Sequence, residues 1–71
     1  MRTNEPADIA DQLQRDGFTP PPVDIIQQIS ALFQKAGRKI TDNLVQKIMT
    51  QFRLAEDLVR AILTLLLNSL P

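Results

Sequence analysis

The chain has 71 residues, of which 44% are hydrophobic, and it contains neither cysteine nor histidine. The missing residue types exclude disulfides and the zinc and iron sites that cysteine and histidine build in many small domains. Its formal net charge is zero, and a chain this short buries only about 60% of the surface that its unfolded form exposes, so helix packing or self-association must stabilise it. We expect one domain over residues 1–71, with no cofactor and no metal.

The first predicted element is a short acidic helix within residues 1–18. Thr3 and Asn4 offer side-chain oxygens that can cap its first turn. Ile9 and Leu13 lie one turn apart and form a thin apolar stripe, too small to stabilise an isolated helix. The helix must therefore dock on the rest of the chain or fray, and we expect it to be the least firmly attached part of the fold.

Residues 19–22 form a proline-rich break, which we interpret as a stiff, extended linker. A proline-rich run can instead bind an SH3 or WW domain, but no PxxP motif with a flanking basic residue is present.

A second helix is predicted from about Val23 to Ala36, and Gly17 and Gly37 are suited to end the first two helices in a left-handed conformation. The apolar residues of the second helix recur at helical spacing and give it a wide apolar face: Ile25, Ile26, Ile29, Leu32 and Phe33.

A third helix is predicted to begin at Asp42, with Thr41 as its N-cap. Ile40 and Val45 stand at the two positions of a hydrophobic staple, which fixes the direction in which the chain enters a helix. No glycine or proline separates Phe52 from the apolar C-terminal stretch, so nothing marks the end of this helix. The start of this helix is therefore well defined and its end is not.

Two architectures remain open for residues 42–68. One is a single helix, about 40 Å long at 1.5 Å per residue, with apolar residues spaced alternately by three and four. The other is a hairpin in which the chain turns around residues 51–55 and a fourth helix begins near Glu56 and Asp57, whose carboxylates favour a helix N-terminus. In both cases the fold class is all-α, a small bundle of three to four helices with its core in residues 23–70.

The C-terminal stretch is apolar around nearly its whole circumference. Such a helix is usually buried on all sides, and a bundle this small covers one helix only in part unless the other three wrap around it. We therefore expect the stretch to form a protein interface, either between copies of the chain in a homo-oligomer or with a larger assembly. The expected anchors of that protein interface are Leu58, Ile62, Leu65 and Leu66.

The charges are unevenly distributed along the chain. Residues 1–24 carry a net charge of −3 and residues 25–55 a net charge of +4. This asymmetry indicates either an anionic partner for the middle of the chain or an acidic arm that folds against a basic body. The cations that we expect to form a nucleic-acid or anion patch at the turn between helices two and three are Lys35, Arg38, Lys39 and Lys47.

Catalysis is not expected, because the sequence lacks the groups that it requires. Ser30 and Ser69 have no histidine to activate them, and the two isolated glycines make no phosphate-binding loop. A helix-turn-helix with a recognition helix from Glu56 onward is disfavoured, because two acids would face the phosphates. The sequence therefore predicts a non-catalytic protein–protein interaction module or regulatory adaptor, with a small nucleic-acid-binding regulator as the alternative.

The expected location is the cytoplasm, without membrane association. The longest uncharged apolar run, residues 61–67, is far shorter than the roughly 20 residues that cross a bilayer. No basic segment followed by an apolar one stands at the start of the sequence, as it would in a secretory leader.

Overall fold

The computed structural model describes residues 6–68, which form four α-helices and no strand. The predicted all-α bundle is thereby confirmed, whereas the expected caps Thr3 and Asn4 and the apolar Leu70 lie outside the described residues. The helices follow one another as α1 (Pro6–Arg15), α2 (Val23–Lys35), α3 (Asp42–Phe52) and α4 (Glu56–Asn68).

The first two helices end at the glycines that the sequence indicated. Gly17 has φ +93° and Gly37 has φ +78°, both in the left-handed region that glycine adopts without steric cost. The amide of Phe18 then donates to the carbonyl of Leu13 at 2.9 Å, and Phe18 packs against the core. Such a bond satisfies a terminal carbonyl and terminates the helix in a defined direction.

Pro22 carries the chain from the linker into α2. Its backbone angles, φ −54° and ψ 151°, are close to polyproline II geometry, and its carbonyl accepts the first hydrogen bonds of the helix from Ile25 and Ile26 at 2.9 and 3.2 Å. The neighbouring Pro21 is buried. The linker is thus packed against the bundle at Pro21 and delivers α2 directly from an extended segment.

The region 42–68 forms a hairpin of two helices and not one long helix. The chain reverses at Arg53, whose φ of 56° and ψ of 50° are left-handed. The amides of Arg53 and Leu54 both donate to the carbonyl of Met49, and Leu54 packs against the core. A left-handed conformation costs a residue with a Cβ about 1–2 kcal/mol. Tertiary packing must offset that cost, because the turn lets α3 and α4 bury their apolar sides together.

Thr41 caps α3 as predicted, since its Oγ1 accepts a hydrogen bond from the amide of Leu44 at 3.2 Å. We expect Thr41→Ala to lower the free energy of unfolding by about 1 kcal/mol, because one amide at the helix start loses its partner. In a domain of this size the melting temperature should fall by about 4–8 °C. Thermal unfolding followed by circular dichroism measures this, and Thr41→Ser, which keeps the hydroxyl, should remain near wild type. Equal losses in both variants would mean that the hydroxyl is not the cause.

The hydrophobic core draws on all four helices, and α2 and α4 occupy its centre. Each of these two helices contacts the other three, whereas α1 and α3 do not contact each other among the described residues. α1 is docked by Ile9 and Leu13, which are almost fully buried. The buried core residues are Ile9, Leu13, Ile26, Ile29, Phe33, Leu44, Val45, Ile48, Val59, Ile62, Leu63 and Leu66.

Candidate binding surfaces

The four residues predicted as a protein interface do not lie together at the surface. Ile62 is 0% exposed and Leu66 is 4% exposed, because α1, α2 and α3 all pack against α4. Leu58 and Leu65 are half-buried and pack against the same core. A partner of the folded bundle can therefore reach Leu58 and Leu65 but not Ile62 and Leu66. The other three helices cover more of α4 than the apolar circumference of α4 suggested.

The last two turns of α4 still expose an uncharged surface. No charged residue lies between Ala61 and Asn68. Leu67 is 43% exposed and, with Val23 at 45%, is one of the two large hydrophobic residues that the described part of the chain exposes. We call the accessible residues of these turns the α4 end surface: Ala61, Thr64, Leu65, Leu67 and Asn68.

The four predicted patch cations are all exposed around the turn between α2 and α3. Lys35 lies in the last turn of α2, Arg38 and Lys39 follow in the connecting loop, and Lys47 lies on α3. None of them forms an ion pair with a carboxylate among residues 6–68. Their charges are therefore available to solvent or to a partner.

Arg60 forms both ion pairs found within the described residues, and one of them connects α4 to α3. Its Nε lies 2.9 Å from Oε2 of Glu56, and its Nη2 lies 3.1 Å from Oδ1 of Asp42. These hydrogen bonds, first with Glu56 and then with Asp42, raise the pKa of Arg60 above its ordinary value. Asp42 is the one carboxylate within residues 25–55. Asp42 forms its ion pair with Arg60 and none with a patch cation.

The acidic helix does not fold against α3. α1 packs on α2 and α4, and the described residues include no contact between α1 and α3. The exposed acids of α1, Asp8 and Asp11, form no ion pair with a described cation. The acidic helix therefore docks on the basic part of the chain through α2, but it leaves α3 uncovered.

The predicted patch left out one nearby cation, Arg53, and the sequence reasoning missed one helix face. Arg53 is exposed at the turn between α3 and α4, where no glycine marks a left-handed residue. The outward side of α3, opposite its buried Leu44, Val45 and Ile48, is entirely polar; we call it the α3 outer face. These polar residues recur at helical spacing in the sequence, but the face that they form could be recognised only once the end of α3 was known. Its residues are Asn43, Gln46, Lys47, Thr50 and Gln51.

The bundle as described is a small all-α scaffold with two accessible surfaces, one uncharged and one basic. Within residues 6–68, no three His, Cys, Asp or Glu side chains are grouped so that they could hold a metal ion. None of the described helices is long and apolar enough to cross a membrane. Comparisons with protein-family models, curated proteins and solved structures gave no match.

Proposed function

We propose that this chain is a small non-catalytic protein-interaction module, a regulatory adaptor that self-associates through the α4 end surface. The observation that supports this best is the exposure of Leu67 within a helical surface that carries no charge. The half-buried Leu58 and Leu65 form a second apolar stripe on α4, at the other edge of its outward side from Leu67. Burial of apolar surface stabilises an association by about 25 cal/mol per Å² before the costs of association are subtracted.

A second copy of the chain is the partner that suits this surface. In a dimer with twofold symmetry, residues near the axis face their own copies, so a charged surface would place like charges together. The α3 outer face would oppose Lys47 to Lys47, whereas the α4 end surface brings together only uncharged side chains. Self-association would also add buried surface to a chain whose single small core provides limited stability.

The substitution Leu67→Asp tests this proposal without disturbing the core. We expect the wild-type mass to rise toward that of a dimer with increasing concentration, and Leu67→Asp to weaken the association tenfold or more, about 1.4 kcal/mol, because two carboxylates would be desolvated at the interface. Sedimentation equilibrium across a concentration series measures the masses, and circular dichroism verifies that the variant keeps its helices.

Val23→Asp is the matched control. Val23 is 45% exposed and stands at the start of α2, where a carboxylate suits the helix dipole, so this variant should associate like wild type. A wild-type protein that is monomeric at every concentration contradicts the proposal. The same holds if Leu67→Asp and Val23→Asp give equal masses.

A further inference from the structure

The α3 outer face has the composition of a surface that contacts nucleic acid. Its exposed side chains are three amides, one hydroxyl and the ammonium of Lys47, and none of them is acidic. Amide side chains of Asn and Gln pair with adenine edges in the major groove, and lysine and arginine bind phosphates. The one carboxylate on α3, Asp42, is paired with Arg60.

Two arginines that flank α3 in the sequence have a left-handed backbone conformation. Arg38 has φ 61° and Arg53 has φ 56°, and within the described residues these are the non-glycine positions with positive φ. Glycine or asparagine adopts this conformation at lower cost. Both arginines are exposed, and neither forms an ion pair with a described carboxylate. Both conformations terminate a helix, because the amide of Arg38 donates to the carbonyl of Phe33 and that of Arg53 to the carbonyl of Met49, which leaves both guanidinium groups exposed at helix ends.

The separation of charge in the fold supports an anionic partner at this face. The acidic α1 has no contact with α3, and its described carboxylates form no ion pair with the cations around α3. With Lys35, Lys39 and Lys47, the two arginines make five exposed cations that lie beside or on one helix. The packing of α1 on α2 fits the acidic-arm explanation for α2, whereas the cations around α3 remain open to an anionic partner.

We propose that the α3 outer face binds double-helical DNA, with α3 in the major groove and the flanking cations on the phosphates at either side. α3 has 11 residues and is about 16 Å long, enough to span a groove about 12 Å wide. Arg38 and Lys39 lie at its N-terminal end and Arg53 at its C-terminal end, so phosphates on both sides of the groove are within reach. The proposal is independent of self-association, because it uses a different helix.

The experiment is a titration of a fluorescein-labelled DNA duplex of mixed sequence, about 20 base pairs or two helical turns, followed by anisotropy. With five phosphate contacts, affinity should fall roughly 500-fold between about 50 and 200 mM salt. An RNA duplex of the same sequence should bind more weakly, because its major groove is too deep and narrow to admit a helix. Equal affinity for both duplexes, or no binding at low salt, overturns the proposal.

Arg38→Gly and Arg53→Gly separate binding from folding. Each variant removes a charge and also relieves the left-handed strain, so its urea midpoint should equal or exceed that of wild type while the slope of log affinity against log salt falls in magnitude by about 0.9. Lys47→Gln should reduce the slope by the same amount. The matched control is Arg15→Gln, which removes an exposed cation from α1 and should leave the slope unchanged.

Two further outcomes would overturn the proposal. If all four variants lose affinity equally, attraction to the whole chain and not to α3 causes binding. If polyglutamate at equal charge concentration displaces the protein as effectively as unlabelled DNA, the face recognises acidic protein segments. Leu67→Asp distinguishes this proposal from the proposed function, because the variant should retain the salt slope per chain even where the dimer is lost.

Discussion

The substitution Ile62→Ala is expected to lower the free energy of unfolding by about 2–5 kcal/mol. Ile62 is fully buried in the helix that contacts all three others, so its truncation leaves a cavity at the centre of the bundle. A single core in a domain this small rarely supplies more than about 3–5 kcal/mol, so a large share of the molecules should be unfolded at 25 °C. Urea denaturation followed by circular dichroism measures the change.

Val23→Ala is the control for Ile62→Ala, because it also shortens a β-branched aliphatic side chain within a helix. Because Val23 is 45% exposed, its truncation should change stability by no more than about 0.5 kcal/mol. If Ile62→Ala leaves stability intact but abolishes self-association, Ile62 is an interface anchor, as the sequence alone suggested.

The substitution Leu13→Ala is expected to destabilise the whole bundle by about 2–5 kcal/mol and not merely release α1. Leu13 is 0% exposed and belongs to the helix that packs on both central helices, α2 and α4. Loss of this contact should therefore lower the stability of the elements beneath it, and the domain should still unfold in one cooperative transition. Urea unfolding monitored by circular dichroism and by amide exchange measures both properties.

Gln14→Ala provides the comparison, because Gln14 is exposed on the next position of the same helix and should change stability little. A different result would support the sequence-based expectation that the N-terminal helix is the least firmly attached element. In that case Leu13→Ala would reduce the helical signal and the exchange protection of α1, while the midpoint for the remaining helices would stay at the wild-type value.

The two proposed surfaces lie on different helices and are compatible with each other. The α4 end surface is proposed to bind a second copy of the chain, whereas the α3 outer face is proposed to bind DNA. A dimer formed through α4 would present two copies of α3, which raises affinity for DNA only if both can reach the duplex at once. Measurements on Leu67→Asp would reveal such a gain as a difference in affinity at an unchanged salt slope per chain.

Local chemistry in the sequence was sufficient to predict most of the helix boundaries. Gly17 and Gly37 end helices because only glycine takes a left-handed conformation without steric cost, and Thr41 begins one because its hydroxyl satisfies a free amide. The apolar spacing also identified the all-α class and most of the core. These features depend on residues within one or two turns of each other, which is why they can be read from the sequence.

The turn at Arg53, the covering of α4 and the exposure of the α3 outer face were decided only by the tertiary structure. No local preference places an arginine at positive φ; the turn forms because it brings α3 and α4 onto a common core. The apolar circumference of α4 indicated burial but not what covers it, and the pairing of Arg60 with Asp42 joins residues 18 positions apart. Such contacts depend on how whole helices pack, and helical periodicity within one segment carries no information about its neighbours.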